Sequence, residues 1–334
     1  MQTKTTRYAA ILAVALALFV VMLGAYTRLT DAGLGCPDWP GCYGHLVLPN
    51  AESALTAAQQ SYPDSPIESR KAWTEMAHRY AAGTLALLII FLGGHALASR
   101  VKKAGIPWRL PVSLIVLVFF QASLGMWTVT MKLLPVVVMA HLLGGIIIFS
   151  CLSCLCLQSF NSNRPALPQW RLGIGLGLII VLVQIALGGW VSSNYAGIAC
   201  IGFPQCNGQW LPALHFTQGF NLFSSVGANY QGGVLDNEVR VTIQTIHRFW
   251  AVVTAVYVLG LSAVLLSRAS YPTLRLLAIA ALVLVAIQFT LGILNVVYLL
   301  PLGVAVLHNG VAALLMATVF MMFYLTMGKQ RNAG

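Results

Sequence analysis

Residues 24–42 read GAYTRLTDAGLGCPDWPGC, and residues 188–206 read GGWVSSNYAGIACIGFPQC. At a constant offset of 164, Gly24 meets Gly188, Cys36 meets Cys200, Pro40 meets Pro204 and Cys42 meets Cys206. Downstream the offset drifts by a few residues. His78-Arg79 meets His247-Arg248 at 169, Gln121 with Leu124-Gly125 meets Gln288 with Leu291-Gly292 at 167, and His141 meets His308 at 167. A fixed long period marks a duplicated unit.

Apolar runs fill the space between these motifs. A bilayer crossing needs roughly 20 mostly apolar residues. Eight such segments are expected, at about 8–28, 74–98, 108–130, 136–159, 171–193, 244–267, 272–294 and 302–326. Only 8% of the chain is charged and 58% is hydrophobic, against about 25% charged residues in soluble domains. The first apolar run has a counterpart in the second unit and no small-residue cleavage site, so it reads as a crossing rather than a leader. The expected fold is an all-α integral membrane protein. Its eight transmembrane helices form two tandem four-helix bundles, residues 1–165 and 166–334. Four crossings per unit give both copies one orientation, related by a pseudo-two-fold axis along the membrane normal. The junction falls around Asn161 to Trp170.

The net charge of +11 invites a nucleic-acid reading, which its distribution excludes. Lys4, Arg7, Arg100, Lys102, Lys103, Arg109, Arg164, Arg171, Arg268, Arg275, Lys329 and Arg331 fall on one side of the spans. All 8 acids fall on the other. This is the positive-inside pattern, with both termini cytoplasmic.

Four of the seven histidines obey the repeat: His78, His141, His247 and His308. In each unit one descent, an inner loop and one ascent separate the pair, so both imidazoles return to the same depth. Each unit can then point two imidazoles at one another from neighbouring helices, the arrangement that bis-histidine haem ligation needs. Four histidines in register weigh against four unrelated interfacial residues. His45, His95 and His215 obey no repeat and read as incidental. Arg79 and Arg248 follow ligand histidines directly and are candidates for haem propionates, with Arg28 a third. Interfacial anchoring is the alternative for all three.

One position breaks the repeat. Glu75 stands three residues before His78, where Gln244 stands three residues before His247. Each shares a helix face with its histidine. A carboxyl in an apolar site can hold and exchange a proton, which directs chemistry to the N-terminal unit and electron transfer to the C-terminal one. The competing reading pairs Glu75 with Arg79, its i+4 neighbour. Cys36 with Cys42, and Cys200 with Cys206, enclose short loops in an oxidising compartment, where disulfides are expected. An exchangeable redox role stays open. The aromatic-rich segments that follow each loop are expected to lie over the haem sites as lids.

The 24–42 run, Glu75-Met-Ala-His78-Arg79, the paired His141 and His308, and Ile246-His247-Arg248 together resemble the haem A synthase family over about residues 8–326. The resemblance implies an oxidoreductase that converts the C8 methyl of haem O to the formyl of haem A for cytochrome oxidase assembly. It implies that His78 and His141 flank the substrate haem, that His247 and His308 ligate a permanent haem b iron, and that Glu75 serves the oxidation. The two cysteine pairs would form outer disulfides, a feature not universal in the family. The haem O synthase, an electron acceptor and membrane lipid are the implied partners, and a homo-oligomer is open. The setting is a bacterial cytoplasmic membrane with the haem sites toward the outer face. Two rivals remain at this level. A di-haem electron carrier would usually spread its haems across both faces, whereas here all four histidines share one. A transporter with parallel repeats would want more midplane polar residues than Gln121, Gln184 and Gln288.

Overall fold

The computed structural model describes residues 4–49, 51–101, 108–160, 167–223, 225–226 and 228–328. The basic residues Lys102, Lys103, Arg164, Lys329 and Arg331, and residues 161–166 of the expected junction, lie outside them. Ten helices run in the order α1 (Lys4–Leu29), α2 (Glu52–Ser61), α3 (Ser69–Val101), α4 (Arg109–Thr130), α5 (Pro135–Phe160), α6 (Pro168–Ser193), α7 (Phe216–Gly219), α8 (Asn237–Arg268), α9 (Pro272–Val297) and α10 (Leu302–Thr326). No strand occurs among the described residues; isolated bridges pair Cys42 with His45 and Cys206 with Gln209.

Eight helices, all but α2 and α7, are long and apolar enough to cross a membrane, as the hydropathy reading expects. Only helices and closed barrels satisfy every backbone group without water. Two crossings begin earlier than the apolar pattern indicates. α3 starts at Ser69 and α8 at Asn237, each adding a polar turn or more before the apolar stretch. Glu75 and Gln244 lie just after these extensions, at the start of the expected spans.

Within the first half, α1 packs on α3, α3 on α4, α4 on α5, and α5 back on α1. Within the second, α6 packs on α8, α8 on α9, α9 on α10, and α10 back on α6. The halves meet through α5 against α6 and α10, and α1 against α10. A continuous apolar core runs through both, with Phe149, Leu152, Ile174, Leu265, Leu274 and Met322 fully enclosed. At the end bearing the termini, Arg7 donates to the Ser159 carbonyl at 3.1 Å and lies over the Phe160 ring, tying α1 to α5.

At the opposite, loop-rich end the crossings close with the same turn. Backbone bonds run from Ala32 N–H to Thr27 O (2.9 Å), Leu133 to Thr128 (2.8 Å), Ala196 to Val191 (2.9 Å) and Leu300 to Asn295 (2.7 Å). Each is the six-to-one bond that caps a helix C-terminus when the next residue turns left-handed. Asp31, Leu133, Tyr195 and Leu300 sit at or beside those left-handed positions. Across the seam, Arg28 donates to the Ser192 carbonyl at 2.6 Å and Tyr195 Oη donates to Asp31 at 2.8 Å. Both contacts join positions separated by 164 residues.

Gly93 fixes the approach of α3 to α4. A Cβ there would fall 2.5 Å from Ile115 Cδ1 and 2.8 Å from the Pro111 carbonyl oxygen. Backbone cannot yield as a side chain can. Gly93→Val is therefore expected to cost about 1–3 kcal/mol, seen as a lower thermal midpoint of the purified protein. Gly83→Ala, whose Cβ would meet nothing within 4 Å, is expected to leave the midpoint unchanged.

Candidate haem sites

His78 lies on α3, His141 on α5, His247 on α8 and His308 on α10, all toward the loop-rich end. A glycine on a neighbouring helix faces each ring. Built Cβ atoms would stand 2.9 Å from His78 Cε1 at Gly24, 3.2 Å from His141 Cε1 at Gly125, 3.2 Å from His247 Cε1 at Gly188 and 3.3 Å from His308 Cε1 at Gly292. The bare glycine backbone thus makes the slot in which each imidazole lies. His78 and His141 come together as the spacing expects, with ring centroids 6.5 Å apart and planes at 77°.

His247 and His308 line one cavity of about 990 Å³, at the upper end of the range for small-molecule sites. Its walls are mainly apolar, from α6, α8, α9 and α10. Trp210, Leu211 and Phe203 border it from the loop. Several of its buried polar atoms have no hydrogen-bond partner: Gln244 Oε1, Gln288 Oε1, Asn295 Oδ1, His308 Nδ1 and Arg248 Nε. Buried polar groups are normally satisfied. An apolar cavity holding two imidazoles and unpaired polar atoms fits a flat apolar macrocycle with a metal at its centre and charged groups at its edge.

The loops above the sites are built alike. Cys36–Cys42 and Cys200–Cys206 are disulfide-bonded, with Cα atoms 4.8 and 4.9 Å apart. In the first loop Asp38 accepts from the Tyr43 and Gly44 N–H groups at 2.6 and 2.9 Å. In the second, Asn207 does similar work, accepting from Ile201 N–H at 2.9 Å and donating to the Ala199 carbonyl at 3.1 Å. Tyr43 is buried beneath the first loop and donates to the Pro66 carbonyl at 3.1 Å. Burial pushes its pKa up, and the charge of Glu68 adds to this.

Arg79 and Arg248, candidates for propionates, hold these loops. Arg79 donates to the carbonyls of Asp38 (2.9 Å), Pro40 and Gly41. Arg248 donates to those of Gly202 (2.9 Å), Gln205 and Cys200. A loop rich in inward-facing carbonyls needs such a donor fork, a demand that sequence spacing does not reveal. Arg28 donates across the seam, pairs with Asp31 at 3.5 Å, and lies 4.0 Å above the Tyr195 ring. Its Nε is buried without a partner.

Glu75 is 4% exposed. One carboxylate oxygen pairs with Arg79 at 2.5 Å and the other accepts the Cys36 N–H at 2.9 Å. The i+4 pairing therefore exists, and Glu75 additionally ties α3 to the disulfide loop. Gly35 permits this, because a Cβ there would lie 2.6 Å from the Lys71 carbonyl carbon. Gln244 has only a long 3.4 Å contact to the Gly197 carbonyl. His45 closes the first loop through its backbone, and His215 approaches Glu238 at 3.8 Å. His95 packs near Phe91. None of the three joins a histidine pair. The glutamine amides beside the imidazoles were not assigned to the sites from sequence, although Gln121 and Gln288 stand within the repeat.

These features define a multi-pass helical membrane protein with two histidine pairs beneath disulfide-closed loops. Residues 7–320 match the family model described as cytochrome oxidase assembly protein. The chain is 45% identical over 311 residues to the haem A synthase of Shewanella oneidensis, covering 92% of each chain. It is 27% identical to that of Rhizorhabdus wittichii, over 92% of this chain and 90% of the relative. It is 25% identical to that of Alkalihalophilus pseudofirmus, over 93% and 92%. The chain belongs to this haem A synthase family of cytochrome oxidase assembly proteins.

The two loop clamps differ in what they leave behind when broken. Arg79→Gln strands the buried Glu75 carboxylate and is expected to cost about 3–5 kcal/mol. Arg248→Gln strands only carbonyls and is expected to cost about 1–3 kcal/mol. Thermal unfolding of the two purified variants side by side checks the ranking.

Proposed function

We propose that this protein is an oxidoreductase that converts the C8 methyl group of haem O to the formyl group of haem A. The observation that carries the reading is two imidazole pairs at one end of an eight-helix chain that is 45% identical to a haem A synthase. The N-terminal half, residues 1–165, takes haem O between His78 and His141. The C-terminal half, residues 166–334, holds haem b between His247 and His308 in the large cavity. The halves are related by a two-fold axis along the membrane normal, and the loop-rich end faces outward from a bacterial cytoplasmic membrane. The family match gives the di-haem electron-carrier reading no support.

The residues divide the work. The paired imidazoles would hold each macrocycle at one depth, and contacts at its edge would fix which side meets the loop. The apolar walls and the loop keep bulk water away from the macrocycle. Arg28 and Arg248, each with a buried Nε free, are placed to receive haem carboxylates, and Arg79 serves the N-terminal site by holding its lid. Written with water as the oxygen donor, methyl to hydroxymethyl takes up one water and releases two electrons and two protons, and hydroxymethyl to formyl releases two more of each, the electrons passing to the acceptor. Haem b, when bound, supplies a one-electron relay. Glu75 lies one helical turn from His78, its carboxylate held by Arg79 and the Cys36 N–H. It takes up a proton released at the methyl carbon or stabilises positive charge there. The haem O synthase would deliver the substrate, and a membrane electron acceptor would drain the electrons.

Haems extracted from the purified protein, before and after haem O is supplied, give the direct test by chromatography with mass analysis. Haem B together with haem A or a hydroxylated intermediate is the expected result. Haem B alone at two per chain, unchanged by haem O, would overturn the reading. Glu75→Gln is expected to keep both haems and lose at least about a hundredfold in haem A formation, the lower end of general acid–base contributions.

A further inference from the structure

Three of the four paired imidazoles meet a glutamine amide. Gln121 Nε2 lies 3.1 Å from His141 Nδ1, Gln184 Nε2 lies 3.3 Å from His247 Nδ1, and Gln288 Nε2 lies 3.1 Å from His308 Nε2. His78 is the exception. No side chain reaches its Nδ1, which is buried without a hydrogen-bond partner. The repeat shows the reason. At the offset of 164 that pairs Gly24 with Gly188, the counterpart of Gln184 is Val20. Valine has no side-chain acceptor, so His78 is left with the Val20 backbone carbonyl, an acceptor it shares with the α1 ladder.

An imidazole bound to a metal through one nitrogen carries its proton on the other. An acceptor at that N–H fixes the ring and raises its basicity as a ligand. Gln184 Oε1 is buried, lines the C-terminal cavity and has no partner. Turning the amide by half a revolution sets that oxygen on the His247 N–H.

We propose that Gln184 and Val20 sort the two sites. Gln184 is a positioning residue that makes His247 a firm ligand for the resident haem. Val20 leaves His78 a weaker, exchangeable ligand, as required where substrate enters and product leaves. This rests on the haem reading above.

The test uses the purified haem-loaded protein and the variants Gln184→Leu, Gln184→Glu, Val20→Gln and His247→Ala. Two readouts are taken: loss of each haem type to excess apomyoglobin, and the midpoint potential of each haem. Gln184→Leu is expected to speed haem B loss about tenfold. It should also favour reduction of that haem about tenfold, equivalent to 59 mV for one electron. Gln184→Glu, which keeps an acceptor, should restore slow loss. Val20→Gln should slow loss of haem O and haem A while leaving haem B unaffected. Wild-type loss rates and potentials in both Gln184→Leu and Val20→Gln overturn the inference. If they occur while His247→Ala sheds haem B, the haem reading survives. Full haem B retention by His247→Ala would sink both.

Discussion

Every candidate ligand in this protein depends on one short approach, that of an imidazole to the bare backbone of a glycine on the next helix. A methyl group at any of the four glycines would stand 2.9 to 3.3 Å from a ring carbon. That is tighter than ordinary van der Waals contact. The glycines set how near the helices lie and how far each ring reaches into its bundle. In a membrane, where helix association gains little from expelling water, small residues at contacts have this effect generally. Here the same residues serve packing and placement together.

The disulfide loops form a second layer upon that frame. Their carbonyls point inward and would be unsatisfied beneath the lid. The arginines that follow His78 and His247 supply the donors. Ring and clamp are therefore adjacent in sequence, with one peptide unit between the candidate ligand and the residue that holds the loop. Glu75 extends this linkage in the first half by holding the Cys36 N–H and Arg79 at once. Gln244 makes no such bridge, so the second loop is attached to its helix by fewer charged contacts.

The eight crossings were legible because long apolar runs and a fixed repeat are strong signals, and because four crossings return each histidine to its starting depth. The early starts of α3 and α8 were not, since their first turns are polar and hydropathy counts only the apolar part. α2 was missed for the same reason: Glu52–Ser61 is short, and only Ala58 in it is buried. The four histidines were found through their register. The arginines were read as propionate partners, and their loop contacts were not legible, because nothing in the spacing of Arg79 says that the carbonyls of 38–41 will turn toward it. The glutamines beside the rings went unassigned as ring partners. A glutamine in an apolar helix reads as a stray polar group until its neighbour is known.

The seam contacts between Arg28 and Ser192, and between Asp31 and Tyr195, have an evolutionary consequence. Each joins a position to its own counterpart in the other copy. In a dimer of identical chains such positions would face themselves, aspartate against aspartate or tyrosine against tyrosine. Joining the copies in a single gene releases that constraint. The two sides can then be unlike, so that a carboxylate accepts from a phenol where self-matching would forbid it.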